Sequence, residues 1–418
     1  MKKCLIILTN VSPDTVGESF VSNELEFHSK FFEKVIVVPL QNTTEGLKNI
    51  TYPVNIDVIE PPLFSGKKAK LLDMFVGIFY SLNRNGALKF EKKYIGKSLK
   101  KLFFAGYFEA RNHRCFKQCE KLLASYDFSF FDKVVIYSYW FFLPCRVGVD
   151  LIKKLKDSTV KVSFVSRAHG YDLYQYTNKL NYLPMRTFLA ENTEMIFPCS
   201  ISGETYLKEL LPQYCDKIKH SYLGSYDNGI NKCSECFHIV TCSHTVEVKR
   251  LDKFIDGLAG LRSSNAKIKW THIGDGDLQD KIKTLAADKL DFIDFSFLGR
   301  LDNRAVMEFY KNNSVSLFVN VSKSEGLPVS IMEAISFGIP VLATDVGGTS
   351  EIVFDCFNGK LLPKDFTVKE FVDSVLFFYN MNESDYMEYR KNARSFWQDN
   401  FDAEKNYTEF SKMLANLK

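Results

Sequence analysis

Short apolar runs alternate with longer amphipathic stretches along most of the chain. The runs are rich in Val, Ile and Phe, as is typical of strands buried on both faces of a parallel sheet. In the N-terminal half the predicted strands are residues 4–9, 34–39, 54–59, 133–137, 160–165, 195–198 and 218–223. In the C-terminal half they are residues 237–242, 267–273, 292–298, 315–320 and 340–344. This alternation predicts an α/β protein with parallel sheets.

Helices are predicted in the stretches between these strands, among them residues 305–312, 328–337 and 366–381. In the second of these, Pro328 suits the first turn, where its missing N–H group is not needed. The segment 386–418 is predicted to be helical, with a break at Phe401 and Asp402.

A polar stretch at residues 224–234, GSYDNGINKCS, has no apolar periodicity and is typical of a linker. It divides the 418 residues into halves that are each long enough to bury a core. We therefore predict an N-terminal domain over 1–225, a C-terminal domain over 226–400 and a terminal helix over 401–418 that returns to the first domain.

The composition is 46% hydrophobic and 25% charged, which excludes a disordered chain, a collagen-like fibre and a disulfide-dense miniprotein. The net charge of +4 is too small to indicate a nucleic-acid partner. The charge is uneven, since segment 67–121 holds fourteen Lys or Arg residues against four acids. Phenylalanines alternate with these lysines, which favours docking on an anionic membrane surface. A solvated helical face over an ordinary core would explain the same pattern.

The apolar run at residues 4–8 is too short for a signal peptide, and no small-residue cleavage site follows it. The run at 71–82 contains Asp73 and is shorter than the ~20 apolar residues that a membrane span needs. Ten cysteines without a secretion signal indicate reduced thiols. We expect a cytoplasmic protein, with peripheral docking on the inner face of the membrane as an extension of that expectation.

One cysteine cluster raises the question of a metal site. Cys233, Cys236, His238, Cys242 and His244 lie close together, and the first two form a C-x-x-C pair. The strand predicted at 237–242 would send alternate side chains to opposite faces of the sheet. We favour a turn before a buried strand and expect no metal, with a zinc knuckle as the alternative.

The segment 322–353, SKSEGLPVSIMEAISFGIPVLATDVGGTSEIV, predicts a strand, loop, helix and strand in succession. Ligands of such units bind at the carboxyl ends of the strands. Glu325 lies in the loop and Glu333 in the helix, with free helix N–H groups expected around Gly326 and Leu327. Such amides bind diphosphate, and carboxylates accept hydrogen bonds from sugar hydroxyls. The unit therefore indicates a nucleotide sugar, although Glu333 taken alone could equally be a solvated helical residue.

Further candidates follow other predicted strands. In the C-terminal half these are the glycine-rich turns at 274–276 and 347–349, together with Lys249 and Arg250, which could neutralise phosphate or simply begin a solvated helix. In the N-terminal half, Gly17 precedes a helix and would let the backbone approach a ligand closely. Arg167 and His169 follow the strand at 160–165 and are therefore expected at the functional edge of the first sheet.

These segments resemble the family 4 retaining glycosyltransferases, whose GT-B fold has two facing Rossmann-like domains with a cleft between them. The resemblance rests on the E-x7-E pair Glu325 and Glu333, on GESF at 17–20, SRAHGYDLY at 166–174, GDG at 274–276 and LGRLDNRAVMEFY at 298–310. It implies transfer of a sugar from a nucleotide-diphosphate sugar, with UDP favoured, to a glycan or lipid-linked oligosaccharide in surface polysaccharide biosynthesis. It also implies retention at the anomeric carbon, with no metal and no cofactor.

The resemblance also implies roles for individual residues. Glu325 would hold the transferred sugar, Lys249 the diphosphate, and His169 would lie against the donor sugar near the acceptor, so these three are the expected catalytic residues. Glu333 would hold the ribose hydroxyls. The other expected donor-binding residues are Gly17, Ser243, Arg250, Gly274, Arg300, Gly326, Leu327 and Pro328, and Arg167 and Asp172 are expected on the acceptor side.

One position departs from the family pattern, which commonly has an arginine six residues before the phosphate-binding lysine. Ser243 stands there, so either Arg250 or His244 compensates, or the diphosphate is held with less charge. Two other functions stay open. Sugar-nucleotide epimerases share the architecture without this E-x7-E context, and a non-catalytic partner in polysaccharide assembly would have kept only the fold.

Overall fold

The computed structural model describes residues 1–15, 18–41, 51–59, 67–83, 86–156, 160–232 and 236–417. They form two units, one of Met1–Ser221 with Tyr407–Lys418 and the other of Tyr222–Asn406. The predicted parallel α/β architecture is confirmed, because each unit has one six-stranded parallel sheet.

The sheet of the first unit has the strand order β3-β2-β1-β4-β5-β6. This is the Rossmann order, in which helices cover both faces. Strands β1 and β4 are buried along almost their whole length, as their continuous apolar sequences predict. The strands are β1 (Lys3–Thr9), β2 (Lys34–Pro39), β3 (Ile56–Val58), β4 (Lys133–Ser138), β5 (Lys161–Ala168) and β6 (Met195–Pro198). The helices are α1 (Ser19–Ser29), α2 (Lys67–Leu82), α3 (Lys92–Ile95), α4 (Leu99–Leu123), α5 (Leu143–Lys156), α6 (Arg186–Glu191) and α7 (Ile201–Leu210).

The sheet of the second unit repeats that arrangement, with the order β12-β11-β10-β7-β8-β9. Its strands are β7 (Phe237–Cys242), β8 (Ile268–Ile273), β9 (Asp294–Phe297), β10 (Leu317–Asn320), β11 (Val341–Thr344) and β12 (Gly359–Leu362). Its helices are α8 (Leu251–Ala259), α9 (Gln279–Lys289), α10 (Asn303–Asn312), α11 (Val329–Ser336), α12 (Val368–Tyr379) and α13 (Glu383–Asn400). Short 3-10 helices in the two units lie at Gly86–Glu91, Phe128–Phe130, Gln175–Thr177, Pro212–Lys217, Glu247–Lys249, Gly260–Ser264 and Thr349–Glu351.

Helix α14 (Ala403–Ala415) follows α13 after the predicted break at Phe401 and Asp402. Beyond Tyr407 it packs in the core of the first unit. The ring of Phe410 lies 5.5 Å from that of Tyr137 on β4. Within the described ranges, no helix is long and apolar enough to cross a bilayer.

Three local predictions need correction. Residues 218–223 do not form a strand. They run beside β6 with one isolated bridge, from Ile218 to Ile196, and their amides at Lys219 and Ser221 donate to Ile196 O and Pro198 O without forming a continuous ladder. Strand β12 was not predicted, since its four residues include a glycine and a lysine and give little apolar signal. Pro328 caps α11 with an extended ψ of 104° and so precedes the first turn.

Candidate active site

The candidate site of the second unit lies where strands β7, β10 and β11 end. Parallel strands bring their carboxyl ends, and the loops that follow them, to one edge of the sheet. Two backbone hydrogen bonds join these loops. Lys323 N donates to Val248 O at 2.8 Å, and Gly348 N donates to Gly326 O at 2.8 Å. The loops after all three strands therefore form one connected surface.

Lys249 and Glu325 meet in this surface. Lys249 ends the 3-10 helix after β7, and its Nζ lies 2.6 Å from Glu325 Oε1. Asn320, the last residue of β10, donates from Nδ2 to the same carboxylate oxygen at 3.1 Å. Both members of the ion pair are partly exposed, with 21% of the lysine side chain and 11% of the glutamate side chain accessible. The pair is therefore accessible to a ligand.

Glu333 is buried on α11 and is held by a neighbouring helix. Asn303, the first residue of α10, donates from Nδ2 to Glu333 Oε1 at 2.5 Å. Burial raises the pKa of Glu333 to about 7, although the hydrogen bond from Asn303 opposes that rise. A ligand hydroxyl donating to this carboxylate would stabilise its ionised form.

The N-terminus of α11 lies between these two carboxylates in the sequence. Pro328 accepts the first helical hydrogen bonds, from Ile331 N at 3.0 Å and Met332 N at 3.3 Å. The amides of Val329 and Ser330 precede these bonds and have no intrahelical acceptor. Leu327 and Pro328 are buried and Gly326 is half-buried. The end of the helix thus provides the amide donors that an anion needs.

Two glycines are required by close backbone approaches. Gly347 has a φ of +55°, and a Cβ there would lie 1.9 Å from the carbonyl oxygen of Glu325. Gly274 has a φ of +144°, and a Cβ there would lie 1.8 Å from Ser243 O. The amide of Gly274 also donates to Gly299 O at 2.9 Å. Glycine therefore permits the close contact between neighbouring loops at both points.

Arg250 does not join Lys249, which corrects its predicted contact with phosphate. Its guanidinium is buried and donates to three backbone carbonyls: Val321 O and Lys364 O at 2.7 Å, and Ser322 O at 3.1 Å. Its hydrogen bonds to Val321 and Ser322 hold in place the loop that follows β10. Of the other predicted donor residues, Ser243 is half-buried at the end of β7, while Arg300 is exposed after Gly299.

In the first unit, His169 follows β5 and is surrounded by aromatic rings. Its ring stacks on Tyr139 with the centroids 4.8 Å apart, and the Trp140 centroid lies 4.6 Å away. Asp172 is buried and accepts backbone hydrogen bonds from His169 N and Phe141 N, both at 2.8 Å. Asp172 is therefore a positioning residue for the loop that carries His169.

Glu18 also belongs to this aromatic cluster, in the part of the GESF motif that the structure describes. Its Oε1 accepts hydrogen bonds from Trp140 Nε1 and Asn10 N, both at 2.9 Å. Burial raises the pKa of Glu18 to about 8, against the opposing effect of these hydrogen bonds. Gly17, the predicted diphosphate contact in the same motif, lies outside the described residues.

Arg167 is fully buried, which corrects its predicted role on the acceptor side. Its Nε donates to Tyr137 Oη at 2.9 Å and its Nη1 to Ser221 O at 2.8 Å. Its Nη2 lies 3.4 Å from Glu24 Oε1, and neither side chain of this ion pair is accessible beyond 1%. β5 extends to Ala168, so Arg167 lies inside the strand and not after it, and its side chain is in the core of the unit.

Those residues of the predicted cysteine cluster that the structure describes lie in different environments. Both ring nitrogens of His238 are bonded at 2.9 Å, Nδ1 with Ser314 O and Nε2 with Thr271 Oγ1. Cys236 is exposed, whereas Cys233 lies outside the described residues. Over the residues with described positions, no group of three or more His, Cys, Asp or Glu side chains is arranged to hold a metal.

Three side chains that sequence reasoning missed help to build the second-unit site. Asn303 and Asn320 hold the two carboxylates. His272 is buried at the end of β8, and its ring nitrogens lie 2.9 Å from Thr241 Oγ1 and 3.2 Å from Thr245 Oγ1. For Asn320 the sequence did give a signal, because it is the one polar residue of the apolar strand β10. His272 lies in β8, which also contains Lys269 and Thr271, so its polarity gave no such signal.

Comparison with known sequences gives one family and several glycosyltransferases. Residues 230–396 match the family described as glycosyl transferases group 1. The O-antigen biosynthesis glycosyltransferase WbnH of Escherichia coli is 30% identical over 247 residues, which cover 58% of this chain and 66% of that protein. The amylovoran biosynthesis glycosyltransferase AmsK of Erwinia amylovora is 23% identical, over 55% of this chain and 58% of that protein. The matched region thus spans less than two thirds of these relatives.

Solved structures show the fold. Sucrose-phosphate synthase of Thermosynechococcus elongatus aligns with a TM-score of 0.71 and 13% identity, over 99% of this chain and 98% of that one. HepE of Anabaena, in complex with UDP and glucose, aligns with a TM-score of 0.64 and 15% identity over the full length of both chains. WaaG, a glycosyltransferase involved in lipopolysaccharide biosynthesis, gives 0.65 and 14% identity, over 99% and 100% of the chains. The fold is therefore GT-B, with two Rossmann-like domains.

Proposed function

We propose that this chain is a glycosyltransferase that transfers a sugar from a nucleotide-diphosphate sugar to a hydroxyl group. The match of residues 230–396 to the family described as glycosyl transferases group 1 supports the proposal. The acceptor in this proposal is a glycan or a lipid-linked oligosaccharide of surface polysaccharide biosynthesis. Relatives named for O-antigen and amylovoran biosynthesis support that class of acceptor.

The observation that carries the proposal is the Lys249–Glu325 ion pair, with its 2.6 Å separation in the loops beside the N-terminus of α11. An ammonium group has three N–H donors, so Lys249 can bind a phosphate oxygen while it keeps Glu325 in place. The amides at the start of α11 add donors for the same diphosphate. Glu325 can then accept hydrogen bonds from hydroxyls of the sugar.

Glu333 is assigned to the ribose in this proposal. Its carboxylate is buried, and Asn303 occupies one of its oxygens. A ribose diol supplies hydroxyl donors that can satisfy the remaining acceptor positions. UDP is the nucleotide that we propose, supported by the UDP in the HepE complex. GDP is the second candidate nucleotide, because a GDP-mannose-dependent mannosyltransferase of Mycolicibacterium smegmatis is 29% identical over 114 residues.

The proposed reaction retains the configuration at the anomeric carbon. The bond from that carbon to the β-phosphate oxygen breaks, and the acceptor oxygen forms its bond on the same face. The acceptor proton passes to the departing phosphate oxygen, so the step needs no protein nucleophile. Lys249 and the α11 amides would stabilise the negative charge that develops on the diphosphate. Positioning of donor and acceptor supplies the rest of the rate enhancement.

In the first unit, we assign His169 to contact with the sugar and Asp172 to holding the His169 loop. Asp172 accepts the His169 backbone amide, which fixes where the imidazole stands against Tyr139. The proposal leaves Arg167 in the core of the unit, where its partners are Tyr137 and Glu24.

A thermal-shift screen with UDP-, GDP- and ADP-sugars tests donor binding, because a ligand stabilises the folded state that binds it. We expect UDP-sugars to raise the melting temperature most. Glu325→Gln should keep much of the UDP binding but abolish transfer, while Glu308→Gln on the exposed side of α10 should change neither.

Product analysis separates the alternatives. Proton NMR of the product should show the anomeric configuration of the donor. A wild-type protein that binds no nucleotide sugar would contradict the proposal and favour a non-catalytic assembly partner. Conversion of the donor to a different sugar nucleotide without an acceptor would instead indicate an epimerase.

A further inference from the structure

We propose that helix α2 (Lys67–Leu82) docks the first unit on an anionic lipid bilayer, with its outward face among the headgroups and upper acyl chains. The proposal concerns a surface of the first unit and does not rest on the proposed reaction. It rests on the side-chain arrangement of α2 and α4 (Leu99–Leu123) and on the charges around them.

Helix α2 buries its small residues and exposes its large apolar ones, whereas the helices of a globular protein usually do the opposite. The helix buries Ala69, Asp73, Gly77 and Ser81, which repeat every four residues on one face. The large apolar side chains point away from the unit, with Phe79 71% and Leu82 77% exposed. The others on this outward face are Leu71, Leu72, Phe75 and Ile78. A protein surrounded only by water rarely exposes so continuous an apolar face.

The buried face explains how α2 stays attached without burying large apolar side chains. A Cβ on Gly77 would lie 2.8 Å from Tyr107 Cα, and one on Gly106 would lie 1.9 Å from Ser81 Oγ. The two helices are therefore in backbone contact. Asp73 adds a bidentate ion pair with Arg114, with Nε–Oδ1 at 2.8 Å and Nη2–Oδ2 at 2.6 Å. Close packing of small residues is how helices associate where apolar burial provides no driving force.

The surface charge around α2 is more positive than the composition of the segment indicates. Three of the four acids in segment 67–121 are buried, namely Asp73, Glu91 and Glu109. Asp73 pairs with Arg114, and Glu109 pairs with Arg146 at 2.8 Å. The fourth, Glu120, lies 2.9 Å from Lys117. The many exposed lysines therefore have few exposed acids beside them.

The lysines lie at both ends of the apolar face. Ser81 Oγ contacts Leu102 O and Asp73 contacts Arg114, so the two helices run antiparallel. Lys67, Lys68 and Lys70 lie at one end, where a groove between the helices is lined by Leu72 and Val76 and by Lys117 and Lys121. At the other end, Leu99 and Phe103 of α4 extend the apolar surface, and their side chains are 78% and 38% exposed. Lys97 and Lys100 lie beside them in the sequence and are exposed.

This charge pattern favours lipid over a second copy of the chain. A symmetric dimer through α2 would bring the lysines of one copy close to those of the other, and such like-charge contacts are unfavourable. An anionic bilayer complements the apolar face and its lysines together, since lysine stems extend along apolar surface while the ammonium groups reach the headgroups.

Vesicle co-sedimentation of the full chain tests the proposal. We expect binding to vesicles of phosphatidylglycerol with phosphatidylcholine at about 0.15 M salt, and much weaker binding to phosphatidylcholine alone. Phe75→Glu with Phe79→Glu should weaken binding at least about tenfold. Replacing Lys67, Lys68 and Lys70 by serine should weaken it by roughly fivefold for each lysine near the surface and reduce its salt dependence. Phe130→Glu, at a position as exposed as Phe75 (60%), is the matched control and should bind as wild type.

Fluorescence gives a second measurement that does not depend on pelleting. The three native tryptophans are buried, so a new one on the outward face is a specific reporter. Brominated lipids should quench Phe79→Trp in phosphatidylglycerol vesicles and leave Phe130→Trp unquenched. Equal quenching of the two, or no binding of the wild type to phosphatidylglycerol vesicles, would overturn the proposal. So would a wild-type dimer that dissociates in the double glutamate variant while vesicle binding stays unchanged.

Discussion

Lys249 Nζ lies 2.6 Å from Glu325 Oε1, so the proposed diphosphate-binding lysine is already paired with the proposed sugar-binding carboxylate. Asn320 donates to the same oxygen and remains as a partner of Glu325 if the lysine is lost. The pair therefore allows the contribution of Lys249 to be measured without leaving Glu325 alone.

Replacing Lys249 by methionine should weaken UDP-sugar binding. A charge-assisted hydrogen bond contributes about 1.5–3 kcal/mol, so we expect the dissociation constant to rise roughly 10- to 150-fold. Isothermal titration at low and high salt measures this change and should show a smaller salt effect in the variant. Lys281→Met, an exposed lysine on α9, is the control for loss of a positive charge. Unchanged affinity in Lys249→Met would exclude a phosphate contact.

Replacing Glu333 by glutamine should stabilise the protein at alkaline pH. The pKa of Glu333 in the folded chain, about 7, lies above its ordinary value of 4.5 because the carboxyl is buried. The folded chain thus holds this proton more tightly, and the free energy of unfolding falls as pH rises from about 4.5 to 7. The penalty, on the order of 3 kcal/mol, is complete above pH 7. The melting temperature of the variant should exceed that of wild type at pH 8, and the two should converge near pH 5.

The same ionisation predicts a pH dependence of donor binding. A ribose hydroxyl donates to the ionised carboxylate, so UDP-sugar affinity should weaken as pH falls below about 7, by up to about tenfold per unit. A UDP-sugar is the suitable probe, because its diphosphate diester does not titrate in this range. Glu333→Gln should bind weakly with a flat profile, and a persisting slope in that variant would assign the titration to another group.

Gly347→Ala should impair donor binding through the Glu325 loop. The new methyl group would lie 1.9 Å from the Glu325 carbonyl oxygen, so the loop must move. Gly229→Ala is a close control, since Gly229 also has a positive φ, +95°, with nothing within 4 Å of its added Cβ. Both variants carry backbone strain of about 1–2 kcal/mol. Only Gly347→Ala should lose UDP-sugar binding, and equal losses in the two would mean that strain alone is responsible.

The buried Arg167–Glu24 pair should matter for stability. Glu24→Gln leaves the buried guanidinium without its carboxylate and should lower the free energy of unfolding by about 3–5 kcal/mol. Glu24→Leu combined with Arg167→Met removes both charges and should recover most of this loss. Urea unfolding followed by tryptophan fluorescence measures the difference. A double variant less stable than Glu24→Gln would contradict this explanation.

The strands were largely predictable because many of them, such as β1 and β4, are short apolar runs buried on both faces. The failures have local causes. The apolar residues near Ile218 run along the sheet edge after a single bridge, and β12 pairs through its backbone with little apolar signal. Pattern alone gives the apolar face but not the hydrogen-bond partner on the neighbouring strand.

The positions of the two candidate carboxylates were predictable, whereas the partners of two candidate arginines were not. Glu325 and Glu333 are fixed by a short motif, so their loop and helix follow from local sequence. Arg167 was predicted to follow a strand but lies inside β5, and Arg250 does follow β7. Their guanidinium groups donate to Ser221 O and Lys364 O. The partners lie 54 and 114 residues away in the chain, and no local pattern reports them.

The backbone bonds from Lys323 to Val248 and from Gly348 to Gly326 give the second-unit site a preorganised frame. These loops lose their conformational entropy when the protein folds. Donor binding therefore does not have to order them. Selectivity between nucleotide sugars would then reside in side chains carried on a fixed backbone. Altered donor choice should be reachable by substitutions at single positions, without exchange of whole loops.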